Sequence, residues 1–260
     1  MSAVVTLVAH FELFVLVLCR TTGIFLAAPV FSSPVIPRLV KALLAGVVAA
    51  CLLPVAVAHQ GGATIPVTWM GFAAVAAKEI LVGLVLGFFA LLAYTAVQVG
   101  GELLSEQMGF AMSKVADPTV DAEMAVVARL ATVLGLLLFL GIDGHHWLLM
   151  ALVRSFAKVP VGGMGLSEVT MGRLVDGFAA TFESGVVLAA PVLCVTILVT
   201  VAIGVVARLV PQIHALMLAF PLKIGVGLLM LGLALPFIAH AAEKHFVAMG
   251  RSLVPLLSGS

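Results

Sequence analysis

Charged residues are scarce in this chain of 260 residues: Asp, Glu, Lys and Arg make up 10%, and the net charge is +1. A balance so close to neutral, with no basic cluster interleaved with aromatics, gives no electrostatic case for nucleic acid. Cysteine is nearly absent as well. Cys19, Cys51 and Cys194 lie far apart, each in an apolar segment, which excludes a disulfide framework and a zinc spacing and reads as buried small hydrophobes. The N-terminus lacks the basic region of a secretory signal, and its apolar stretch runs on to Phe31 despite Glu12 and Arg20, so it is expected to be retained. Neither H-E-x-x-H nor G-x-S-x-G occurs. His145 and His146 are neighbours and point apart on a helix, while His240 and His245 flank Glu243 at a spacing poor for one metal ion. No enzymatic pair, metal site or cofactor motif emerges.

What is present is apolar: 63% hydrophobic residues and a mean hydropathy of +1.29 describe an integral membrane protein. The pattern predicts an all-α chain of about six apolar helical segments with no fixed-period repeat and no low-complexity linker. The first should run from about Val4 to Val30, broken by Ser32, Ser33, Pro34 and Pro37. Arg38 and Lys41 open a second that ends near Pro54. After Gly61, Gly62 and Pro66 a third carries Lys78 and Glu79, then a charge-free stretch from Ile80 to Gly101. At ~1.5 Å per residue that stretch spans roughly 33 Å, enough to cross a bilayer.

The main polar interval runs from Glu102 to Arg129. Asp117 before Pro118 reads as an N-cap with proline at the first helical position, so a fourth helix is expected from near Pro118 to about Leu140. Gly141, Asp143, Gly144, His145 and His146 interrupt it before the apolar Trp147 to Phe156. Ser167 can cap a fifth long helix that ends at Pro211, at roughly 60 Å much longer than a hydrocarbon core. The last segment holds Pro221 and Pro236.

Ionisable groups inside these apolar segments are Glu12, Arg20, Lys78, Glu79 and Lys223. Such groups face protein or a water-filled cavity. Two readings are open: internal ion pairs that hold helices together, or contacts that line a path or meet a partner. Lys223 is the only formal charge between Leu209 and Ala242, and Pro221 beside it should kink or break its helix. Gly83 and Gly87 form a G-x-x-x-G, which is packing evidence only. In an orthodox zigzag, one side would receive Arg38, Lys41, Lys114, Arg129, Arg208 and Lys223, and the other Arg154, Lys158, Arg173, Lys244 and Arg251. That is no positive-inside bias. Either the topology is not an orthodox zigzag or partner proteins set the orientation.

Four motifs occur in order along the chain: Ala28-Pro29-Val30-Phe31-Ser32-Ser33 with Ile36-Pro37-Arg38, Gln107-Met108-Gly109-Phe110 running to Asp117-Pro118, Gly144-His145-His146, and Phe220-Pro221-Leu222-Lys223-Ile224-Gly225. Together they resemble the flagellar biosynthetic protein FliR family over essentially the whole chain. Ala219 departs from the glycine of many relatives. The resemblance implies a non-enzymatic component of the flagellar type III export gate, in the bacterial inner membrane at the basal body. FliP-like and FliQ-like membrane proteins are the implied partners, with FlhB- and FlhA-like components and lipid nearby, and unfolded protein chains pass through. It implies a FliP-like part at about 1–165 and a FliQ-like hairpin at about 166–260, much of it above the membrane plane.

By the same resemblance a pore-closing plug maps onto Met108, Gly109, Phe110, Ala111 and Met112. Glycine permits a tight loop, and Met and Phe can seal a lumen yet yield to a passing chain; the alternative is an ordinary buried interhelical loop. Assembly contacts are expected at Arg20, Pro29, Phe31, Pro37, Lys78, Glu79, Pro221 and Lys223. A virulence-type secretion homologue and a small-solute transporter or channel subunit are the other readings, the latter suggested by Lys223 beside a broken helix.

Overall fold

A computed structural model describes residues 2–32, 36–60, 68–109, 126–163, 168–209 and 215–253. These residues are helical with short turns, and no strand occurs among them. The helices are α1 Ser2–Ala27, α2 Arg38–Ala58, α3 Trp69–Gln107, α4 Val126–Gly141, α5 Gly144–Lys158, α6 Glu168–Leu209 and α7 Ala215–Leu253. Five are long and apolar enough to cross a membrane, and six spans result if α4 and α5 count together as one. The integral-membrane, all-helical reading of the sequence therefore holds.

Two compact units share the chain: one takes 1–93, 143–178 and 247–260, the other 94–142 and 179–246. In the first, α1 packs on α2, and α2 reaches α5. Glycine lets α1 meet α3 backbone to backbone. A Cβ at Gly83 would collide with the Arg20 carbonyl, one at Gly23 with the Ile80 carbonyl, and one at Gly87 would lie 2.9 Å from the Ile24 carbonyl. The register advances in the same direction on both helices, so α1 and α3 run parallel. The second unit is built around Leu104, Met108, Val127, Ala189, Val192 and Ala234, drawn from α3, α4, α6 and α7. Gly135 accommodates Val97, and the Tyr94 hydroxyl donates to the Thr132 carbonyl at 3.1 Å.

Helix ends follow local chemistry. Thr68 accepts the Gly71 N–H through Oγ1 at 3.3 Å and opens α3. At its far end Gly109, at φ 91°, turns the chain out of the helix, its N–H donating to the Glu106 carbonyl at 3.0 Å. The polar interval thus begins inside α3, since Glu102 and Glu106 are helical. Asp143, also left-handed at φ 57°, separates α4 from α5. α6 carries Glu168 in its first turn and Arg208 in its last, both matched to the helix dipole.

The expected end near Pro54 and the expected break at Pro221 need correction. α2 continues past Pro54 to Ala58, and α7 is one helix through Pro221 and Pro236. A proline removes one backbone bond, whereas ending a helix inside an apolar segment orphans several groups with no water to satisfy them. Continuation is the smaller loss. The expected fourth-helix start near Pro118, the Ser167 cap and the Pro211 stop lie outside the described residues.

The α1–α3 contact predicts a pair of opposite outcomes. Gly83→Ala should lower the stability of the chain in detergent by about 1–3 kcal/mol through backbone displacement. Gly46→Ala, in α2 with nothing within 4 Å of the new methyl, should leave it unchanged or raise it by up to ~1 kcal/mol. Thermal unfolding of the two purified variants checks both.

Candidate functional site

The α1–α3 register carries a buried ion pair. Arg20 lies one turn before Gly23 and Glu79 one turn before Gly83, so the glycine contact sets the two side chains against each other. Arg20 Nε donates to Glu79 Oε2 at 2.6 Å, and both side chains are 0% exposed. Arg20 Nη1 donates to Ser155 Oγ at 3.1 Å and to the Val159 carbonyl at 3.0 Å. Glu79 Oε1 accepts the Gly162 N–H at 2.8 Å. The guanidinium carbon lies 4.3 Å from the centre of the Phe156 ring, a cation–π contact. Only Nη2 of this group lacks an acceptor among the described residues. The pair therefore ties α1, α3, α5 and the turn after α5 into one charged core.

Other residues singled out in the sequence are placed as follows. Pro29 is buried and Phe31 stacks on Phe25 with centroids 4.2 Å apart, while the Ser32 N–H donates to the Ala28 carbonyl at 2.8 Å. The chain thus leaves α1 in a packed turn. Pro37 is exposed at the start of α2, and Lys78 is half-buried. Glu12 lines a cavity of about 270 Å³ with Val8, Phe11, Val15, Thr68, Trp69 and Phe72. Pro221 is exposed, and Lys223 is half-buried without a carboxylate partner among the described residues. The His145 and His146 rings stand nearly perpendicular, at 87°. His245 meets Ser184 Oγ through Nδ1 at 2.7 Å. Among the described residues no group of three His, Cys, Asp or Glu could hold a metal ion.

Of the five plug positions, Met108 and Gly109 are described, and Phe110, Ala111 and Met112 lie outside the described residues. Met108 is 0% exposed, within the core of the second unit. A Cβ at Gly227 of α7 would stand 2.7 Å from Met108 Cγ, and one at Gly109 would stand 2.9 Å from Phe220 Cδ1. The base of the mapped loop and the Phe220 motif therefore touch, although more than a hundred residues separate them.

Sequence comparison identifies the family that carries these motifs. The family described as "Bacterial export proteins, family 1" matches residues 11–249. The chain belongs to that family. It is 31% identical to the flagellar biosynthetic protein FliR of Escherichia coli (strain K12) over 241 residues, 93% of this chain and 91% of the relative. It is also 31% identical to FliR of Pectobacterium carotovorum subsp. carotovorum over 239 residues, covering 92% and 90%. With FliR of Bacillus subtilis (strain 168) the identity is 35% over 158 residues, 59% of this chain and 61% of the relative. This bacterial export family chain is thus a membrane-embedded component of the flagellar export apparatus, as its order of motifs implied.

Reading the sequence flagged Arg20 and Glu79 separately and did not pair them. It missed Ser155, Phe156, the Val159 carbonyl and Gly162, which complete the charged core. Gly23 carried no G-x-x-x-G signal, yet it is half of the contact that makes the pair. Arg20→Lys tests the geometry of this export-family chain, because an ammonium cannot reproduce the planar fork that reaches Glu79, Ser155 and Val159 together. The variant should lose about 1–3 kcal/mol of stability in detergent, measured as an earlier unfolding transition than wild type.

Proposed function

We propose that this chain is a structural and gating subunit of the flagellar type III export gate, not an enzyme. It assembles with FliP-like and FliQ-like proteins around a channel for unfolded flagellar subunits, in the bacterial inner membrane at the basal body, with FlhB- and FlhA-like components nearby. In this reading about 1–165 corresponds to a FliP-like part and about 166–260 to a FliQ-like hairpin. Met108 to Met112 act as the plug, and Arg20, Pro29, Phe31, Pro37, Lys78, Glu79, Pro221 and Lys223 support the assembly.

The observation that carries the reading is the shape and surface of the last two helices. α6 has 42 residues and α7 has 39, or roughly 60 Å each at ~1.5 Å per residue. A hydrocarbon core of about 30 Å cannot cover them. Only 22% of the most apolar window of α6 and 11% of that of α7 is buried within this chain. Val175, Leu198, Val201, Leu229, Leu233 and Phe237 are among the large side chains left exposed. Helices longer than the bilayer with bare apolar faces need neighbouring protein along part of their length, and a multi-subunit gate supplies it.

A small-solute transporter is less well supported. That reading relied on Lys223 beside a broken helix, and α7 is unbroken at Pro221. A virulence-type secretion system is the nearer variant; similarity to flagellar FliR proteins favours the flagellar branch.

Deleting the gene should abolish secretion of flagellar subunits and motility, with both restored by expression in trans. Retained secretion would contradict the proposal. Lys223→Ala should lower the yield of the assembled complex or its secretion, whereas a fully assembled and fully active variant would show that this charge is incidental.

A further inference from the structure

The cavity beside Glu12 is a product of the helix register in the first unit. Gly23 of α1 meets the Ile80 carbonyl of α3, and counting back equally from each along these parallel helices brings Glu12 level with Trp69. The space there measures about 270 Å³, just under the roughly 300–1,000 Å³ of a small-molecule site, so it suits a small group and not a whole cofactor. Phe11, Trp69 and Phe72 supply aromatic walls, and Glu12 is the only ionisable residue in the lining. Thr68, also in the lining, is fixed by its cap on α3, where Oγ1 accepts the Gly71 N–H at 3.3 Å. Glu12 is half-buried and has no cation within ion-pair distance among the described residues. A carboxylate set among aromatic and aliphatic side chains complements an ammonium: the faces of the rings attract the cation, and the carboxylate oxygens accept its N–H groups.

We propose that this cavity binds the primary ammonium of an aminophospholipid headgroup, of the phosphatidylethanolamine class, with Glu12 as the counter-charge and Phe11, Trp69 and Phe72 around it. Its position points to lipid as the source of the cation. The apolar window of α1 opens at His10, so Glu12 lies in the first turn of that window, at the level where headgroups meet hydrocarbon. Trp69 is 92% exposed at the start of α3 and Met70 86%, the placing of an aromatic anchor at a membrane interface. Leu7 and Phe11, both exposed on α1, continue the apolar rim along which acyl chains can lie. A primary ammonium fits better than a quaternary one, because its N–H groups satisfy carboxylate oxygens that a methylated nitrogen leaves without a hydrogen bond. The site is independent of the export reading: it needs a bilayer and not a passing chain.

The test uses the purified full chain in mild detergent, offered equal amounts of phosphatidylethanolamine and phosphatidylglycerol with identical acyl chains, and native mass spectrometry reads the lipid retained. Wild type should hold phosphatidylethanolamine in preference by about five-fold or more. Glu12→Gln, which keeps the shape and removes the charge, should erase that preference. Equal retention of the two lipids by wild type, or a preference unchanged in Glu12→Gln, overturns the proposal and leaves the cation to a partner protein. Phosphoethanolamine without acyl chains should not displace the lipid at equal concentration; displacement would assign the cavity to a soluble amine and overturn the lipid assignment. Trp69→Leu gives an independent readout at a position too exposed to disturb the fold. It should lower the preference by roughly two-fold or more through loss of the aromatic face. If Glu12→Gln does not fold, that variant decides, and an undiminished preference overturns the proposal.

Discussion

The ion pair between Arg20 and Glu79 is the constraint on which the first unit depends. Both side chains are fully buried, 2.6 Å apart, and a charge so placed must be paired and hydrogen-bonded or it costs several kcal/mol. Here nearly every polar atom of the pair is used. Arg20 reaches Ser155 and the Val159 carbonyl on one side, and Glu79 accepts the Gly162 N–H on the other. The geometry exists only because Gly23 and Gly83 let α1 and α3 touch without intervening side chains. Small residues at a helix contact and polar residues as glue are the two devices available where lipid removes the hydrophobic drive for helix association. This chain uses both in the same place.

The second unit is fastened differently. Among its described residues the core contains no ion pair, and close contacts are made at glycine notches filled by apolar side chains: Val97 at Gly135, Val99 at Gly185, Met108 at Gly227. Such contacts hold by dispersion and shape, and each can open with a modest loss. The first unit is thus tied by charge and the second by shape.

Much of the architecture was legible from the residues. Sparse charge and high hydropathy led to the membrane, and helices α1, α3, α6 and α7 fall near their expected positions. Motif order led to the family that the comparisons confirm. The pairing of Arg20 with Glu79 was not legible, because 59 residues separate them and only the packing of Gly23 against α3 brings them together. The contact of Met108 with Gly227 was hidden for the same reason. Proline misled at Pro54 and Pro221: its helix-breaking effect assumes water at the break, and an apolar surrounding withdraws that alternative. The overlong α6 was legible as a length, while its bare faces could be seen only once its neighbours were placed.

The central claim, that one buried charge pair organises the first unit, is tested most directly by a double-mutant cycle on Arg20→Leu and Glu79→Leu, with stability in detergent as the readout. Each single variant strands a buried charge and should lose about 3–5 kcal/mol, while the double variant, with no charge left to strand, should recover most of that loss. A double variant as unstable as the sum of the two singles would contradict the account, since the side chains would then contribute independently and no pair would hold α1 to α3.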